Sequence, residues 1–192
     1  MNMGYLAKPA VFLVETLFGL YILAVALRFL LQWTGADYYN PVSQFLVKVT
    51  HPPLKLLRRF IPAMGRVDTS SLVLMLVLQM LASYLVFLLQ GVTAVSIAAL
   101  AVWSVHDLLD LVFNIFFFCI IARALLSWFG PVPHNPGASL LNGLTEPLLR
   151  HSRRLLPPAG GLDLSPLVPL IAIQLARMLI LPPIQQLAAL LN

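Results

Sequence analysis

Ionisable and amide side chains inside the most apolar stretches of this sequence are the residues best placed to do chemistry. Glu15 and Asp110 lie 95 residues apart in two such stretches, and Arg177 lies far along another. Because an ionisable group in lipid generally faces the protein interior and has a partner, we expect Arg177 to pair first with Asp110 and second with Glu15. Gln79 and Gln174 are expected near mid-membrane, where side-chain amides bond between helices. The set favours structural contacts, with a polar path for ions as the alternative and cofactor or lipid binding as a third interpretation.

Catalytic and metal-binding signatures are absent from the sequence. The four histidines are scattered, and no HExxH pattern, Cys/His cluster, glycine-rich phosphate loop or GxSxG elbow occurs. The single cysteine, Cys119, cannot form a disulfide within the chain. His106 and Asp107 near Asp110 make only a weak candidate for a metal site. We therefore predict a protein that is not an enzyme and that uses no metal or cofactor.

A set of motif residues occurs twice in the chain, always 95 residues apart and without a gap. Loops normally drift in length, so a loop of fixed length in both copies is expected to be packed or docked. We predict a first repeat over 1–91, a linker over 92–105 and a second repeat over 106–192. The motif residues are Arg28, Trp33, Asn40, Pro41, Thr50, Pro52, Arg58, Arg59, Pro62 and Asp68 in the first copy, and Arg123, Trp128, Asn135, Pro136, Thr145, Pro147, Arg153, Arg154, Pro157 and Asp163 in the second.

The composition places both copies in a membrane. The chain is 60% hydrophobic and only 10% charged, with a mean hydropathy of +0.91, whereas soluble proteins carry about 25% charge. The sequence therefore predicts an all-α membrane protein with about four transmembrane helices in two parallel repeats, each a helix, an amphipathic interfacial loop and a helix. Gly91 is expected to end the second helix, leaving a short outer-surface helix in the linker; a fifth span is the alternative. The predicted spans are 9–32, 70–90, 108–129 and 164–181.

Basic residues are concentrated in the loop of each repeat, whereas the opposite side of the membrane carries little besides Lys8. Lys and Arg accumulate in short cytoplasmic loops, so we predict cytoplasmic loops, both termini outside, and a first helix retained as an anchor. The net charge of +5 indicates attraction to anionic lipids at the cytoplasmic face and gives no support for a nucleic-acid partner. The basic loop residues are Lys48, Lys55, Arg58, Arg59 and Arg66, then Arg150, Arg153 and Arg154.

The repeated loop is predicted to be an interfacial element made of two helical pieces. Asn40 and Pro41 are typical of a helix start, and Pro52 and Pro53 are expected to end the first piece. The first piece has an apolar face, and the second has a basic one. The loop is then a membrane-surface brace, with a partner-docking surface or a re-entrant pore segment as alternatives. The apolar face of the first piece consists of Val42, Phe45, Leu46 and Val49.

Two acidic residues and two arginines flank this loop. Asp68 and Asp163 are expected to cap the helices that follow. Arg28 and Arg123, near the cytoplasmic ends of the preceding spans, are expected either to reach these acids or to extend to lipid phosphate.

The combined motif, Arg-x-Leu-Leu-x-Trp, Asn-Pro, Thr-x-Pro, Arg-Arg-x-x-Pro and Gly-x-x-Asp-x-Ser, resembles that of the YggT (YlmG-like) family of bacterial integral membrane proteins, in its two-copy form. The resemblance covers nearly the whole chain. It implies the bacterial inner membrane, with loose links to cell division, envelope organisation, osmotic or potassium homeostasis and, in plastid relatives, nucleoid distribution or cytochrome assembly. It makes the repeated motif residues the candidates for partner or lipid binding. The second copy departs where Lys48 becomes Gly143 and Lys55 becomes Arg150.

Two functions of different classes remain open at this point. A non-catalytic scaffold or assembly factor would bind membrane-protein partners. Charge reversal at Arg58-Arg59 or at Arg153-Arg154 would then disrupt recruitment without preventing insertion. An ion-conducting or transport protein would instead lose flux when Asp110 or Glu15 is neutralised. Because four spans enclose little room for water, such a pore would need a homo-oligomer. The sequence favours the scaffold.

Overall fold

The computed structural model describes residues 6–62, 67–92, 94–128, 135–155 and 165–191. These residues form six helices, and the all-helical, two-repeat fold predicted from the sequence is confirmed. Four of the helices (α1, α3, α4 and α6) are long and apolar enough to cross a membrane, and no fifth such helix occurs among the described residues. The helices are α1 (Ala7–Thr34), α2 (Pro41–Leu57), α3 (Thr69–Leu89), α4 (Ile97–Trp128), α5 (Pro136–Leu155) and α6 (Leu167–Leu190).

Each repeat forms a hairpin of two long helices with a shorter helix at one end. Helix α1 packs on α3, α4 packs on α6, and α3 and α4 join the two hairpins. The core centres on α1, where Ile22, Val25 and Ala26 are almost fully buried, and it includes Met75 of α3 and Ile115 of α4. Helices α2 and α5 contact each other and α1 at the same end of the bundle. We call this end the basic side and the opposite end the terminal side.

The segment between the repeats differs from its prediction. Gly91 adopts a φ of 82°, a conformation that favours glycine, and α3 ends just before it, as predicted. The described residues of the linker form no separate helix, because α4 runs without interruption from Ile97 to Trp128. The physical reason is that residues 97–107 contain neither glycine nor proline, so nothing stops the helix between the linker and the predicted span. Helix α6 likewise extends past the predicted end at 181 to Leu190.

The prediction that Pro52 and Pro53 break the interfacial helix was wrong. Helix α2 continues through both prolines to Leu57. A proline cannot donate to the carbonyl four residues earlier, so Pro53 leaves the Val49 carbonyl without its helical donor. The Tyr21 hydroxyl of α1 donates to that carbonyl at 3.3 Å. A neighbouring helix thus supplies the donor that the proline removes.

Helix α2 has one side toward the bundle and one side away from it. The predicted apolar face is split between them: Leu46 is buried, whereas Val42, Phe45 and Val49 are exposed. In a membrane these exposed side chains would contact lipid, which matches a helix lying at the interface. The inward side consists of Ser43, Leu46, Thr50 and Leu54.

Candidate functional site

Arg28 fastens the interfacial helix of the first repeat to its first span. The side chain is only 7% exposed. Its Nη1 donates to Thr50 Oγ1 at 2.8 Å and to the Val47 carbonyl at 3.4 Å. Thr50 Oγ1 in turn donates to the Leu46 carbonyl at 2.6 Å. The expectation that Arg28 bonds Asp68 was wrong, because Arg28 donates to the Thr50 hydroxyl and the Val47 carbonyl instead. The alternative contact with lipid phosphate stays a prediction.

The second repeat contains the same hydrogen bonds between a span arginine and an interfacial-helix threonine, an arrangement that we call the arginine–threonine clamp. Arg123 Nη1 donates to Thr145 Oγ1 at 2.8 Å and to the Asn142 carbonyl at 3.4 Å. Thr145 Oγ1 donates to the Leu141 carbonyl at 2.6 Å. An arginine on the span and a threonine on the interfacial helix therefore orient the two elements identically in both copies. Asp163, the other partner expected for Arg123, lies outside the described residues.

The residue that follows the threonine makes the two copies different. In the second copy it is Glu146, whose Oε2 lies 2.7 Å from Arg123 Nη2 and whose Oε1 lies 3.3 Å from Arg153 Nη1. One carboxylate thus bridges two arginines. The hydrogen bond from Arg123 lowers the pKa of Glu146, outweighing the opposite effect of burial. In the first copy the equivalent residue is His51, which is exposed.

A cavity of ≈ 640 Å³ lies where His51 replaces the bridging carboxylate. Arg28 and Arg58, the equivalents of the two bridged arginines, both line it, together with Ser43. The Ser43 Oγ is buried and makes no hydrogen bond with any residue that the structure describes. No acidic side chain occurs among the described lining residues. The remaining lining residues are Leu31, Gln32, Ala36, Tyr38, Val47 and His51.

Asp68 does not act as the helix cap that the sequence predicts. It occupies the N-cap position of α3, but its side chain makes no cap hydrogen bond. The fully buried carboxylate pairs with Arg58 and accepts a hydrogen bond from Ser71 Oγ at 2.8 Å. Burial raises the pKa of Asp68, but these hydrogen bonds and the Arg58 charge outweigh it and lower the pKa below its ordinary value. Arg58 is thereby fixed at the edge of the cavity.

The Asn-Pro motifs join the two repeats. Asn40 Oδ1 caps α2 by accepting from the Val42 N–H at 2.9 Å, as predicted, and Asn40 Nδ2 donates across to the Pro136 carbonyl at 2.8 Å. Asn135 caps α5 through the Gly137 N–H at 2.9 Å. A Cβ built on Gly143 would lie 3.2 Å from the Ala36 Cβ. The change from Lys48 to Gly143 therefore brings α5 close to the end of α1.

The predicted ion pair between Arg177 and Asp110 is confirmed. Arg177 Nε lies 2.7 Å from Asp110 Oδ1 and joins α6 to α4. Asn114 completes the group, because it accepts from Arg177 Nη1 at 3.0 Å and donates to Asp110 Oδ2 at 3.1 Å. The first repeat has Gly19 and Ala82 at the positions equivalent to Asn114 and Arg177. This polar group is therefore specific to the second repeat.

The other intramembrane polar residues have different surroundings. Gln79 Nε2 donates to Asp107 Oδ2 at 3.1 Å, which is the interhelical bond predicted for it. Glu15 is exposed and lines a groove of ≈ 310 Å³ that also contains Gln79 and Asp107. Gln174 is exposed and makes no hydrogen bond with the described part of the chain, so the bond predicted for it is not formed there. His106 lies 3.0 Å from Asp107, and no group of three or more His, Cys, Asp or Glu in the described ranges is placed to hold a metal ion.

The remaining motif residues are mostly on the surface. Trp33, Arg59 and Arg154 are exposed, as are Pro41, Pro52, Pro136 and Pro147 within the interfacial helices. The Pro62 carbonyl accepts from Thr69 Oγ1 at 2.6 Å. Arg66, Pro157 and Asp163 lie outside the described residues, as does the side chain of Trp128.

Sequence comparison agrees with the duplicated architecture. The model of the CCB3/YggT family matches residues 7–89 and matches again over residues 102–184. The chain belongs to the CCB3/YggT family. The two matches correspond to α1–α3 and to most of α4–α6, so the family unit is one hairpin with its interfacial helix. The resemblance to YggT proteins is confirmed.

The relatives are bacterial and match over most of their length. An uncharacterised protein of Pseudomonas aeruginosa (strain PAO1) is 44% identical over 177 residues, which cover 92% of this chain and 90% of that protein. The uncharacterised protein YggT of Escherichia coli (strain K12) is 39% identical over 157 residues, 82% of this chain and 81% of its own. An uncharacterised protein of Vibrio alginolyticus is 39% identical over 169 residues, 88% of this chain and 91% of its own. No solved structure matches the chain.

Family membership and the four apolar helices together identify a multi-pass membrane protein. The repeat comparison also contained a signal that sequence reasoning passed over. At the position between the threonine and the proline of Thr-x-Pro, the first copy has His51 and the second has Glu146. At this position only the second copy adds a carboxylate, and that carboxylate contacts both Arg123 and Arg153. Thr50, Thr145 and the two Arg-Arg motifs were already candidates, but their contacts were not predicted.

Proposed function

We propose that this protein is a non-catalytic scaffold or assembly factor of the bacterial inner membrane, serving envelope organisation or division. The observation that carries the proposal is the division of its loop cations into two classes. Arg28, Arg58, Arg123 and Arg153 make contacts within the protein. A second class is exposed and forms no ion pair with any described residue, so its charge is available to a partner. This class consists of Lys48, Lys55, Arg59, Arg150 and Arg154.

The exposed cations lie beside exposed apolar side chains on the basic side. Leu56 and Phe60 are exposed close to Lys55 and Arg59. We place this surface at the cytoplasmic face, because short cytoplasmic loops collect Lys and Arg. It suits the acidic cytoplasmic segment of a membrane-protein partner, with anionic lipid filling the rest of the surface. A reporter fused into the loop after Phe60 and found outside the cell would contradict this orientation.

The ion-conducting alternative has less support from the contacts. Arg177 and Asn114 already occupy the Asp110 carboxylate, so that acid is not available to a passing ion. Glu15 remains, in a groove lined by residues of α1 and α3 and by Asp107 of α4. Because four spans in one chain enclose little room for water, conduction would need further copies of the chain to enclose this groove. Of the two acids that the sequence singled out for conduction, only Glu15 therefore remains available.

The test of the scaffold is charge reversal restricted to the exposed cations. A photo-crosslinking amino acid at Leu56, which is 71% exposed, would capture neighbours in living cells. We expect defined membrane proteins to be captured, and to be lost in a Lys55→Glu, Arg59→Glu double variant that still inserts. Arg58 must be left intact, because reversing it would also break its pair with Asp68.

A matched control uses the second repeat, where Arg150→Glu and Arg154→Glu make the same change in charge on α5. Capture at Leu56 that survives this control and is lost with the first pair assigns docking to α2. Capture unchanged in both double variants would contradict the scaffold. Potassium flux in liposomes that depends on Glu15 would support the alternative instead.

A further inference from the structure

The two repeats contain two versions of one pair of arginines. Arg28 and Arg58 in the first copy correspond to Arg123 and Arg153 in the second. The arginine–threonine clamp has the same distances in both copies, so each arginine on a span is oriented in the same way. Only the second copy supplies an anion of its own between the pair, through Glu146.

The donor groups in the first copy are correspondingly unused. Arg123 Nη2 donates to Glu146, whereas Arg28 Nη2 has no acceptor among the described residues. Ser43 contributes a buried hydroxyl without a partner to the same cavity. Asp68 offsets the Arg58 charge, so one net positive charge remains from the arginine pair. A buried polar group without a partner is costly, which gives a bound acceptor a clear advantage.

We propose that this cavity binds a phosphate group, held between Arg28 and Arg58 where the second repeat holds the Glu146 carboxylate. The Glu146 carboxylate between Arg123 and Arg153 shows that such an arginine pair binds an anionic group. Phosphate fits the first copy better than carboxylate, because Ser43 adds a donor and a phosphate offers more than two acceptor oxygens. Guanidinium groups suit phosphate through their planar fork of donors.

Two sources can deliver this chemistry, a phospholipid headgroup and free phosphate. The cavity volume of ≈ 640 Å³ accommodates either one. Its position beside the exposed lipid-side residues of α2 gives a headgroup a direct approach from the membrane. The inference does not depend on the scaffold role, since the arginine pair of the cavity is separate from the exposed cations.

The test exchanges the residues at the one position that decides whether an arginine pair has its own carboxylate, His51 in the first copy and Glu146 in the second. His51→Glu places a carboxylate where the second repeat already tolerates one, so we expect a folded protein that has lost the site. Glu146→His removes the internal anion and is expected to create a second site. Gln44→Glu adds the same charge to an exposed position of α2 outside the cavity and serves as the control.

Two measurements distinguish the sources. In the first measurement, inorganic phosphate is titrated into the protein in lipid-free detergent, and the heat of binding is recorded. The buffer has constant ionic strength and contains no sulfate, which would compete for the site. In parallel, native mass spectrometry counts the phosphatidylglycerol molecules that each variant retains. We expect wild type and Gln44→Glu to bind alike, His51→Glu to bind about tenfold or more weakly, and Glu146→His to gain one equivalent.

Each outcome decides the proposal. Phosphate binding with this variant pattern identifies a soluble source, and the same pattern seen only for phosphatidylglycerol identifies a headgroup; both support the site. Binding that is unchanged in folded His51→Glu would overturn it. An equal loss in Gln44→Glu would overturn it too, since surface charge alone would then explain the binding. Failure of wild type to bind either probe would have the same consequence, whatever the fate of the scaffold proposal.

Discussion

Replacing Asp68 with Asn removes the charge of the carboxylate that fixes Arg58 while leaving the side-chain shape unchanged. Asp68 is fully buried, and the Arg58 side chain is 35% exposed. Breaking a fully buried ion pair by removing one partner costs about 3–5 kcal/mol, whereas exposed pairs contribute about 0–1 kcal/mol. A pair with one buried and one partly exposed member lies between these limits. We therefore expect Asp68→Asn to lower the free energy of unfolding by about 2 kcal/mol.

The loss in free energy of unfolding caused by Asp68→Asn should depend on pH in a defined direction. The native pKa of Asp68 lies below its unfolded value, so the carboxylate stabilises the fold above the unfolded pKa. That contribution is lost as the pH falls from about 4 through the lower native pKa. The difference between wild type and Asp68→Asn is therefore constant near neutrality and shrinks in acid.

The assay is unfolding in detergent followed by tryptophan fluorescence, with Arg58→Met as the second arm of a double-mutant cycle. Asp37→Asn is the control, because Asp37 is an exposed acid of the same loop region. The reasoning would be refuted by a loss of less than about 0.5 kcal/mol, which is the usual size of surface effects. Simple additivity of Asp68→Asn and Arg58→Met would refute it as well, since residues in contact are expected to couple.

Three further variants test contacts that join helices. Arg177→Met leaves the Asp110 charge without its counter-ion inside a span and should cost about 2 kcal/mol in unfolding assays. Gly143→Lys, which installs the first-copy residue, should cost about 1–3 kcal/mol by thermal unfolding, because its Cβ meets Ala36 at 3.2 Å. Tyr21→Phe removes the hydroxyl that bonds the α2 carbonyl freed by Pro53, and should cost about 1 kcal/mol by the same measurement.

Each of these variants has a control elsewhere in the chain. Gln174→Leu alters an exposed polar residue on the same helix as Arg177 and should be neutral or stabilising. Asn142→Lys adds a lysine beside Gly143 at an exposed position, and Tyr84→Phe removes an exposed hydroxyl. A loss in any control equal to that of its test variant would mean that the named contact is not the cause.

Features that depend on composition and on the repeat could be predicted from the sequence. Long apolar runs define spans because backbone polar groups in lipid must be satisfied within a helix. The fixed 95-residue offset placed equivalent residues at similar depth, and a depth argument was enough to pair Arg177 with Asp110. Asn40 was recognisable as a cap because capping involves only neighbouring residues.

Features that depend on contacts between distant elements could not be predicted in the same way. The effect of Pro53 on α2 is offset by Tyr21, which lies on another helix and gives no local signal. The second repeat has Phe116 and Leu148 at these two positions, so the hydroxyl and the proline are absent together. Asp68 has the residue type of a cap, and its pairing with Arg58 becomes visible only once the loop is folded. The same holds for Arg28, whose partner is an uncharged threonine.

The continuous α4 makes the two hairpins unequal in length. Helix α3 has 21 residues and is about 32 Å long, close to the ~30 Å of a bilayer core. Helix α4 has 32 residues and is about 48 Å long. Even a tilt of about 40° shortens its projection only to about 37 Å.

The additional residues at the start of α4 remain packed within the second hairpin. Ala99 and Ala188 are fully buried, and each lies eleven residues from the Asp110–Arg177 pair toward the terminal side. Helix α4 is therefore longer than a bilayer core even when it is tilted, so the bilayer around it must thicken or the helix must extend into the headgroup region. Either adjustment costs a fraction of a kcal/mol per Å. In a membrane of uneven thickness, this mismatch alone would sort the protein toward the thicker regions.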